Sequence, residues 1–214
     1  MRKEAHPSDL EFTALISSKI CHDIIGPISA IHNGLEMISD DAAAPNACTF
    51  GVLRKVSQQL TARLQFMRLA YGASGLNDTP VELSTIKKLI SDFFNDGNKH
   101  QVTWSGTSTD TLPRIQSKLL LNLLVCAITS IPRGGNIVIN INEVKNFPNF
   151  ALTCSGEIIQ SPKYLHSFIE NANFTEIDAF SIQAYYTLRL ANEGGSRVSI
   201  KHQPNSIRIT TISN

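Results

Sequence analysis

A histidine, an aspartate and a proline lie close together in a long segment that is rich in apolar residues: His22, Asp23 and Pro27. Apolar side chains recur there every three or four residues, as in a helix that buries one stripe, at Ile16, Ile20, Ile24, Pro27, Ile31, Leu35 and Ile38. His22 projects from roughly the opposite side, together with Gly26, Ser29, Asn33 and Glu36. A neutral imidazole keeps one nitrogen free to attack an electrophile, and its ordinary pKa of about 6.5 makes that form abundant at neutral pH. The pattern predicts a nucleophilic histidine that faces a large partner.

Pro27 indicates a local irregularity in the same helix. Proline has no backbone N–H, so the carbonyl of Asp23, four residues earlier, loses its helical partner and a bend is expected. Gly26 weakens the same turn further, by about 1 kcal/mol relative to alanine. A surface histidine beside a structural kink is the alternative interpretation of this motif.

The whole-chain composition bounds the class of protein. The 214 residues are 42% hydrophobic and 17% charged, with a formal net charge of +1, which predicts a folded, soluble protein without a nucleic-acid or membrane surface. The N-terminus lacks a secretory core, and the longest apolar run is shorter than the roughly 20 residues that span a bilayer. The four cysteines are scattered, with no CxxC pair, and so are expected to be reduced thiols in a cytoplasmic protein.

The N-terminal third predicts a helical hairpin. A first helix is expected at 8–39 with Ser8 as a candidate N-cap, then a turn at 40–46, then a second helix at 47–71. Each apolar stripe is wider than one partner helix covers, so we expect two hairpins to pair as a four-helix bundle in a homodimer. The alternative is that both stripes pack only on the rest of the chain.

The remainder predicts helices layered on a mostly antiparallel sheet. After a linker at 72–80, Ser84 is expected to cap a helix ending near Asn95. The further predicted elements are a strand at 100–105, a helix at 114–131, strands at 136–143 and 150–155 joined through 145–149, a helix at 178–193 closed by two glycines, and strands at 197–202 and 206–212.

The motif from His22 to Pro27 resembles the H-box of the dimerisation and histidine-phosphotransfer domain of two-component histidine kinases, in which the histidine accepts the phosphoryl group. The order of elements after the hairpin resembles the ATP-binding domain of the same kinases. In that family an asparagine of the long helix holds magnesium on the nucleotide. Here Cys126 falls at the position of that asparagine, and a thiol is a poor ligand for magnesium. Asn122, one helical turn earlier, corresponds to the family's preceding asparagine and not to the metal ligand.

Two further nucleotide motifs of that family are altered. The adenine-reading Asp-x-Gly-x-Gly box would begin at Cys154, and Glu157 or Ile158 stands where its second glycine belongs. The glycine-rich lid corresponds to 174–181, which has no glycine and carries two carboxylates, Glu176 and Asp178, that would repel phosphate. We therefore expect no nucleotide binding and no ATP-dependent kinase activity.

A phosphotransfer hairpin joined to a degenerate ATPase domain is similar to the ChpT-type histidine phosphotransferases of alphaproteobacterial phosphorelays, which implies a role in cell-cycle signalling. Only 21 residues precede His22, so no sensor domain is expected. The predicted fold is α+β: a helical hairpin at 1–74 that forms a dimeric four-helix bundle, followed at 80–214 by a histidine-kinase-ATPase-like α/β sandwich that lacks nucleotide-binding motifs.

The resemblance implies that His22 shuttles a phosphoryl group between aspartates of receiver domains, those of a hybrid histidine kinase and of response regulators. No cofactor of its own is expected, since Mg²⁺ would come from the receiver. Asp23 is expected to hydrogen-bond near the imidazole or to orient Lys19. The candidate residues for receiver docking are Lys19, Ile25, Gly26, Ser29, Asn33 and Phe66. For Ile25 and Phe66, ordinary core or dimer contacts are the alternative.

Two other functions are compatible with the sequence: an ATP-dependent histidine kinase core with an unorthodox nucleotide site, and a non-catalytic adaptor that binds a receiver or a kinase. Four other histidines are interpreted as structural or surface residues: His32, His100, His166 and His202. A basic group is expected to form a solvated face, or to steer an acidic receiver: Lys19, Arg54, Lys55, Arg63 and Arg68.

Overall fold

The computed structural model describes residues 7–40, 47–72, 79–94, 99–107, 109–144, 147–170 and 177–213. Its helices are α1 (Asp9–Asp40), α2 (Ala47–Tyr71), α3 (Leu83–Phe94), α4 (Arg114–Ile128), α5 (Lys163–Glu170) and α6 (Ile182–Glu193). Its strands are β1 (Val81–Glu82), β2 (His100–Thr107), β3 (Thr111–Leu112), β4 (Gly135–Val144), β5 (Phe147–Ser155), β6 (Ser196–Gln203) and β7 (Ser206–Ser213). The expected turn at 40–46, linker at 72–80 and loop at 145–149 lie partly outside the described residues.

Helices α1 and α2 form the expected hairpin, and Ser8 caps the first of them. The Ser8 hydroxyl accepts the backbone N–H of Glu11 at 3.3 Å, while the Glu11 carboxylate accepts the backbone N–H of Ser8 at 2.8 Å, which completes a capping box. The two helices approach closely at Gly34, where a Cβ would lie 2.6 Å from a methyl group of Leu53. A side chain at position 34 would therefore require the side chain of Leu53 to move.

The second part of the chain is a five-stranded mixed sheet in the order β2-β4-β5-β7-β6, with α4 and α6 packed against it. Three of the four strand pairs are antiparallel, as expected, and β2 pairs with β4 in parallel. Strand β4 alternates in burial, with Ile137, Ile139 and Ile141 pointing into the core. Helix α4 is buried almost all round because the sheet and α6 cover one side and α2 covers another.

Three local expectations are corrected by the structure. Ser84 does not cap α3, because that helix already begins at Leu83. The helix expected from Asp178 begins at Ile182, since the Asp178 carboxylate instead accepts the backbone N–H groups of Phe180 and Ser181 in a turn, which lowers its pKa. Helix α5 was not anticipated, because its eight residues are too few for a clear period.

By length and composition alone, one helix in the described part of the chain could cross a membrane, the Asp9–Ile38 part of α1. The sequence-based prediction considered only uninterrupted apolar runs. This helix contains polar residues, but its mean hydropathy is high enough for a membrane span. One such helix is weak evidence for a membrane protein, because helices of soluble proteins meet the same criterion.

Candidate functional site

His22 lies in the middle of α1 with its side chain 81% exposed. Its Nδ1 is 3.3 Å from Oδ1 of Asp23. A carboxylate beside Nδ1 favours the tautomer that carries its proton there, and the lone pair of Nε2 is then free for nucleophilic attack. The arrangement is suited to forming a bond between Nε2 and an electrophilic phosphorus.

The Asp23 carboxylate joins His22 to a cation. Its other oxygen, Oδ2, accepts a hydrogen bond from the Lys19 ammonium, which lies one helical turn earlier, and both side chains are more than three-quarters buried. The two contacts that were expected as alternatives for Asp23, with the imidazole and with Lys19, thus both occur. Lys19 offsets the carboxylate charge next to the position that a dianionic phosphoryl group on His22 would occupy.

The neighbouring side of α1 is open to solvent. Ile25 is 64% exposed, and Gly26, Ser29 and Asn33 are also exposed. A Cβ added at Gly26 would meet no atom within 4 Å, so this glycine leaves free space one turn from the imidazole. Lys19, Ile25 and Gly26 lie within about one turn of His22, whereas Ser29 lies about two turns and Asn33 about three turns further along the same helix.

Phe66 does not belong to this surface. It is only 1% exposed, and its ring stacks on that of Phe93 of α3 with a centroid distance of 4.3 Å. The prediction that Phe66 docks a partner was therefore wrong, because α3 covers the face of α2 that carries it. Arg63 also departs from the expected solvated face, since it is half-buried and bonds α1.

A cavity of about 300 Å³ opens beside His22, between α1 and the second part of the chain. Its walls are mainly apolar. Residues of α1, α4, α5 and α6 and of the segments just before α5 and α6 line this His22 cavity, among them Lys19, His22, Asp23, Cys126, Phe180 and Ala184. The sequence did not predict the cavity, because it forms only where two distant segments meet.

The position that would hold magnesium in a nucleotide site carries the thiol of Cys126, which is 4% exposed. Burial raises the pKa of this thiol to about 11, so it is neutral at physiological pH. Its sulfur lies 3.5 Å from the hydroxyl of Thr187. A neutral buried thiol does not supply the hard oxygen ligand that magnesium requires, so this site does not fit the metal.

Asn122 is also fully buried, and its side chain is hydrogen-bonded within the protein. Its amide nitrogen donates to the carbonyl oxygens of Ala70 and Lys118, at 3.0 and 2.8 Å, and its oxygen accepts from the amide of Gln183 at 2.7 Å. Gln183 in turn accepts the hydroxyl of Tyr71, the last residue of α2. This buried network ties the end of the hairpin to α4 and α6, and its hydrogen bonds were not predicted from the sequence.

The other two altered nucleotide motifs also lack the groups that would bind ATP. Cys154 is fully buried, and burial raises the pKa of its thiol to about 12, so no acid is present there to read an adenine. Glu157 forms a surface ion pair with Arg133 at 3.2 Å. Of the expected lid at 174–181, residues 174–176 lie outside the described part, and 177–181 form the turn that Asp178 organises. Among the described residues, no three His, Cys, Asp or Glu side chains form a metal-binding group.

The remaining histidines of the described chain have local partners. His32 and His166 lie 3.3 and 3.2 Å from carboxylates one turn later, on Glu36 and Glu170. His100 is buried and lies 3.0 Å from the carbonyl of Ile131, and His202 lies 2.7 Å from the hydroxyl of Ser161. None of these four lines the His22 cavity.

The hairpin with its exposed histidine and the attached α+β unit are compatible with phosphoryl transfer through the imidazole, and comparisons with known proteins give the class. Residues 83–206 match the family model described as "Histidine phosphotransferase C-terminal domain". The chain is 37% identical over 194 residues to the protein phosphotransferase ChpT of Brucella abortus (strain 2308), covering 90% of this chain and 91% of that protein. The chain therefore belongs to the ChpT-type family of histidine phosphotransferases.

Solved structures agree with this assignment. A bacterial phosphotransferase determined at 1.7 Å superposes with a TM-score of 0.86 at 33% identity, covering 98% of this chain and 99% of that one. The histidine kinase AdeS of Acinetobacter baumannii superposes with a TM-score of 0.50 at 17% identity, covering 90% of this chain and 97% of that one. The second likeness shows only that the fold is shared with histidine kinases.

Proposed function

We propose that this protein carries a phosphoryl group on His22 between the aspartates of receiver domains in a phosphorelay. The observation that carries the proposal is the 81% exposed imidazole whose Nδ1 faces the carboxylate of Asp23. Membership of the histidine phosphotransferase family supports the reaction class. Residues 1–74 would form the phosphotransfer and dimerisation domain, and 80–214 the degenerate ATPase-like domain, in a cytoplasmic protein.

The chemistry needs little from the protein beyond position and charge. The Nε2 lone pair of His22 attacks the phosphorus of a receiver's aspartyl phosphate, the N–P bond forms, and the P–O bond to the aspartate breaks. The carboxylate released on the receiver keeps the bonding electrons. During the whole reaction, the Asp23 carboxylate accepts a hydrogen bond from Nδ1–H of His22. This hydrogen bond stabilises the cationic ring of the phosphohistidine. The reverse steps pass the group to a second receiver, and each receiver supplies its own Mg²⁺.

The homodimer is part of the same proposal. Hairpin residues outside the chain's own core stay exposed although they are large and apolar, among them Ile28, Leu35, Phe50 and Leu64. A second hairpin would cover this surface and complete a four-helix bundle with one His22 on each half.

A transfer assay tests the proposed function. Receiver domains phosphorylated with labelled phosphate are mixed with this protein, and the label is expected on His22 as an acid-labile, base-stable phosphate. His22→Ala is expected to abolish labelling with the free energy of unfolding changed by no more than about 0.5 kcal/mol, as for other exposed positions. Asp23→Asn is expected to slow transfer without abolishing it. Label that survives in His22→Ala, or that moves to His32, contradicts the proposal.

The same assay separates two rival functions. A histidine kinase would acquire label from ATP alone, with no receiver present. A non-catalytic adaptor would bind receivers without taking label, and a His22→Ala variant of an adaptor would still complement a deletion in cells.

A further inference from the structure

Phe180 is an exposed aromatic residue of the second part of the chain that lines the His22 cavity. It is 73% exposed, and it lies in the turn that Asp178 fixes just before α6. The ring and the imidazole of His22 line the same cavity of about 300 Å³. The reactive histidine of the hairpin thus adjoins an apolar surface that belongs to the second part of the chain.

Any receiver that reacts with His22 must cover this surface. Attack requires the phosphorus to come within about 3–3.5 Å of Nε2. A domain of about 100 residues has a radius of gyration of about 13 Å, and a specific interface buries about 800 Å² on each partner. An interface of that size centred on His22 extends beyond α1 and over the rim of the adjoining cavity.

The chemistry of the cavity favours an apolar occupant over a phosphate or a nucleotide. Its interior wall includes the neutral Cys126 and the small buried side chain of Ala184. The cation that lines it, Lys19, already binds the carboxylate of Asp23. An anion would therefore meet an apolar wall and a compensated charge, whereas an aliphatic or aromatic side chain would gain by burial.

We propose that the His22 cavity receives an apolar side chain that a receiver domain presents beside its phosphorylated aspartate, with Phe180 as the outer wall of the pocket. This proposal rests on the proposed function, and it adds a specificity determinant outside the hairpin. Receivers with a large apolar residue at that position are accepted, and those with a charged residue there are rejected because the charge would be desolvated.

Two variants change the pocket in opposite ways. Phe180→Ala removes its outer wall, and the exposed position leaves the fold intact. Ala184→Leu fills its interior from α6. Ile212→Ala is the matched control, because Ile212 is an exposed apolar residue of β7 that does not line the cavity.

Binding and transfer are measured separately with the intact protein. Binding uses receiver domains of the source organism activated by beryllofluoride, a mimic of the aspartyl phosphate, and transfer uses the same receivers carrying labelled phosphate. Phe180→Ala and Ala184→Leu are each expected to raise Kd and KM about tenfold, with kcat within twofold of the wild type. Ile212→Ala is expected to behave as the wild type.

The outcomes distinguish this inference from the proposed function. Wild-type Kd and KM in both pocket variants overturn the inference alone. A wild-type protein that binds receivers but never takes label overturns the proposed function alone, and one that binds no receiver overturns both. Native mass spectrometry that finds a small molecule held in the purified wild type and lost in Ala184→Leu also overturns the inference, because the cavity would then be a ligand site.

Discussion

The guanidinium of Arg63 donates a hydrogen bond of 2.9 Å to the backbone carbonyl oxygen of Asp23. This is the carbonyl that lacks a helical partner because Pro27 has no N–H. Arg63 is itself held by the ring of Phe93, whose centroid lies 6.0 Å from the guanidinium carbon. The second helix of the hairpin therefore compensates for the proline of the first, in the turn that follows the proposed phosphoacceptor His22.

Arg63→Met is expected to lower the free energy of unfolding by about 1–2 kcal/mol, because a half-buried carbonyl loses its charged partner. Phosphoryl transfer should also slow, since the turn that holds Asp23 against His22 becomes less fixed. Urea unfolding and the transfer assay measure the two effects. Arg54→Met, at an exposed position of the same helix, is the control and should change neither.

Gly26→Leu is expected to block transfer while keeping or raising stability. The added side chain meets open space in the free protein, and leucine favours a helix over glycine by up to about 1 kcal/mol. A docked receiver would meet that side chain one turn from His22. Gly51→Leu provides the control, because Gly51 is equally open but lies near the start of α2. If Gly26→Leu transfers phosphate at the wild-type rate, the part of α1 around Gly26 is not in contact with the receiver.

No binding of ATP is expected at millimolar concentration with magnesium, as measured by calorimetry. Cys126 lies at the metal position and Cys154 at the adenine position, and both thiols are neutral and buried. Cys126→Asn alone is not expected to restore binding, because Cys154 remains. A micromolar dissociation constant for the wild type would revive the kinase hypothesis.

Light scattering at micromolar concentration is expected to give twice the 23.5 kDa mass of the chain. Leu64→Glu should shift the protein towards the monomer, because the exposed Leu64 of α2 would place a charge in the seam between two hairpins. Ile212→Glu, on β7, should leave the mass unchanged. A wild-type mass near 23.5 kDa would refute the four-helix bundle.

The stability of the protein is expected to fall as the pH rises from about 9 towards 11. Burial raises the pKa of Cys126 from 9.0 to about 11 and that of Cys154 to about 12. Raised pKa values mean that the folded state keeps protons that the unfolded state releases, so the contribution is complete below pH 9 and is lost above it. Each thiol should account for about 1 kcal/mol between pH 8 and 10. Urea unfolding of Cys154→Ala at the two pH values should show a correspondingly smaller loss.

The sequence by itself determined the hairpin and the exposed position of His22 on it. Apolar side chains at three- and four-residue spacing define a helix wherever it packs, so α1 and α2 were predicted to within one residue at each end. The contact of Asp23 with Lys19 was also predictable, because residues four apart on a helix lie on the same face. Alternation of apolar residues likewise located the long strands β4 to β7.

Only the tertiary structure decided which faces of those elements remain free. Phe66 looked available for docking on α2 until α3 was seen to cover it, and Arg63 looked solvated until the fold brought it to the Asp23 carbonyl. The His22 cavity combines α1 with residues more than 100 positions later, such as Cys126 and Phe180. Helical and strand periods are local properties of a chain, whereas burial and cavities depend on how distant segments pack, and a single sequence does not encode that packing in any local pattern.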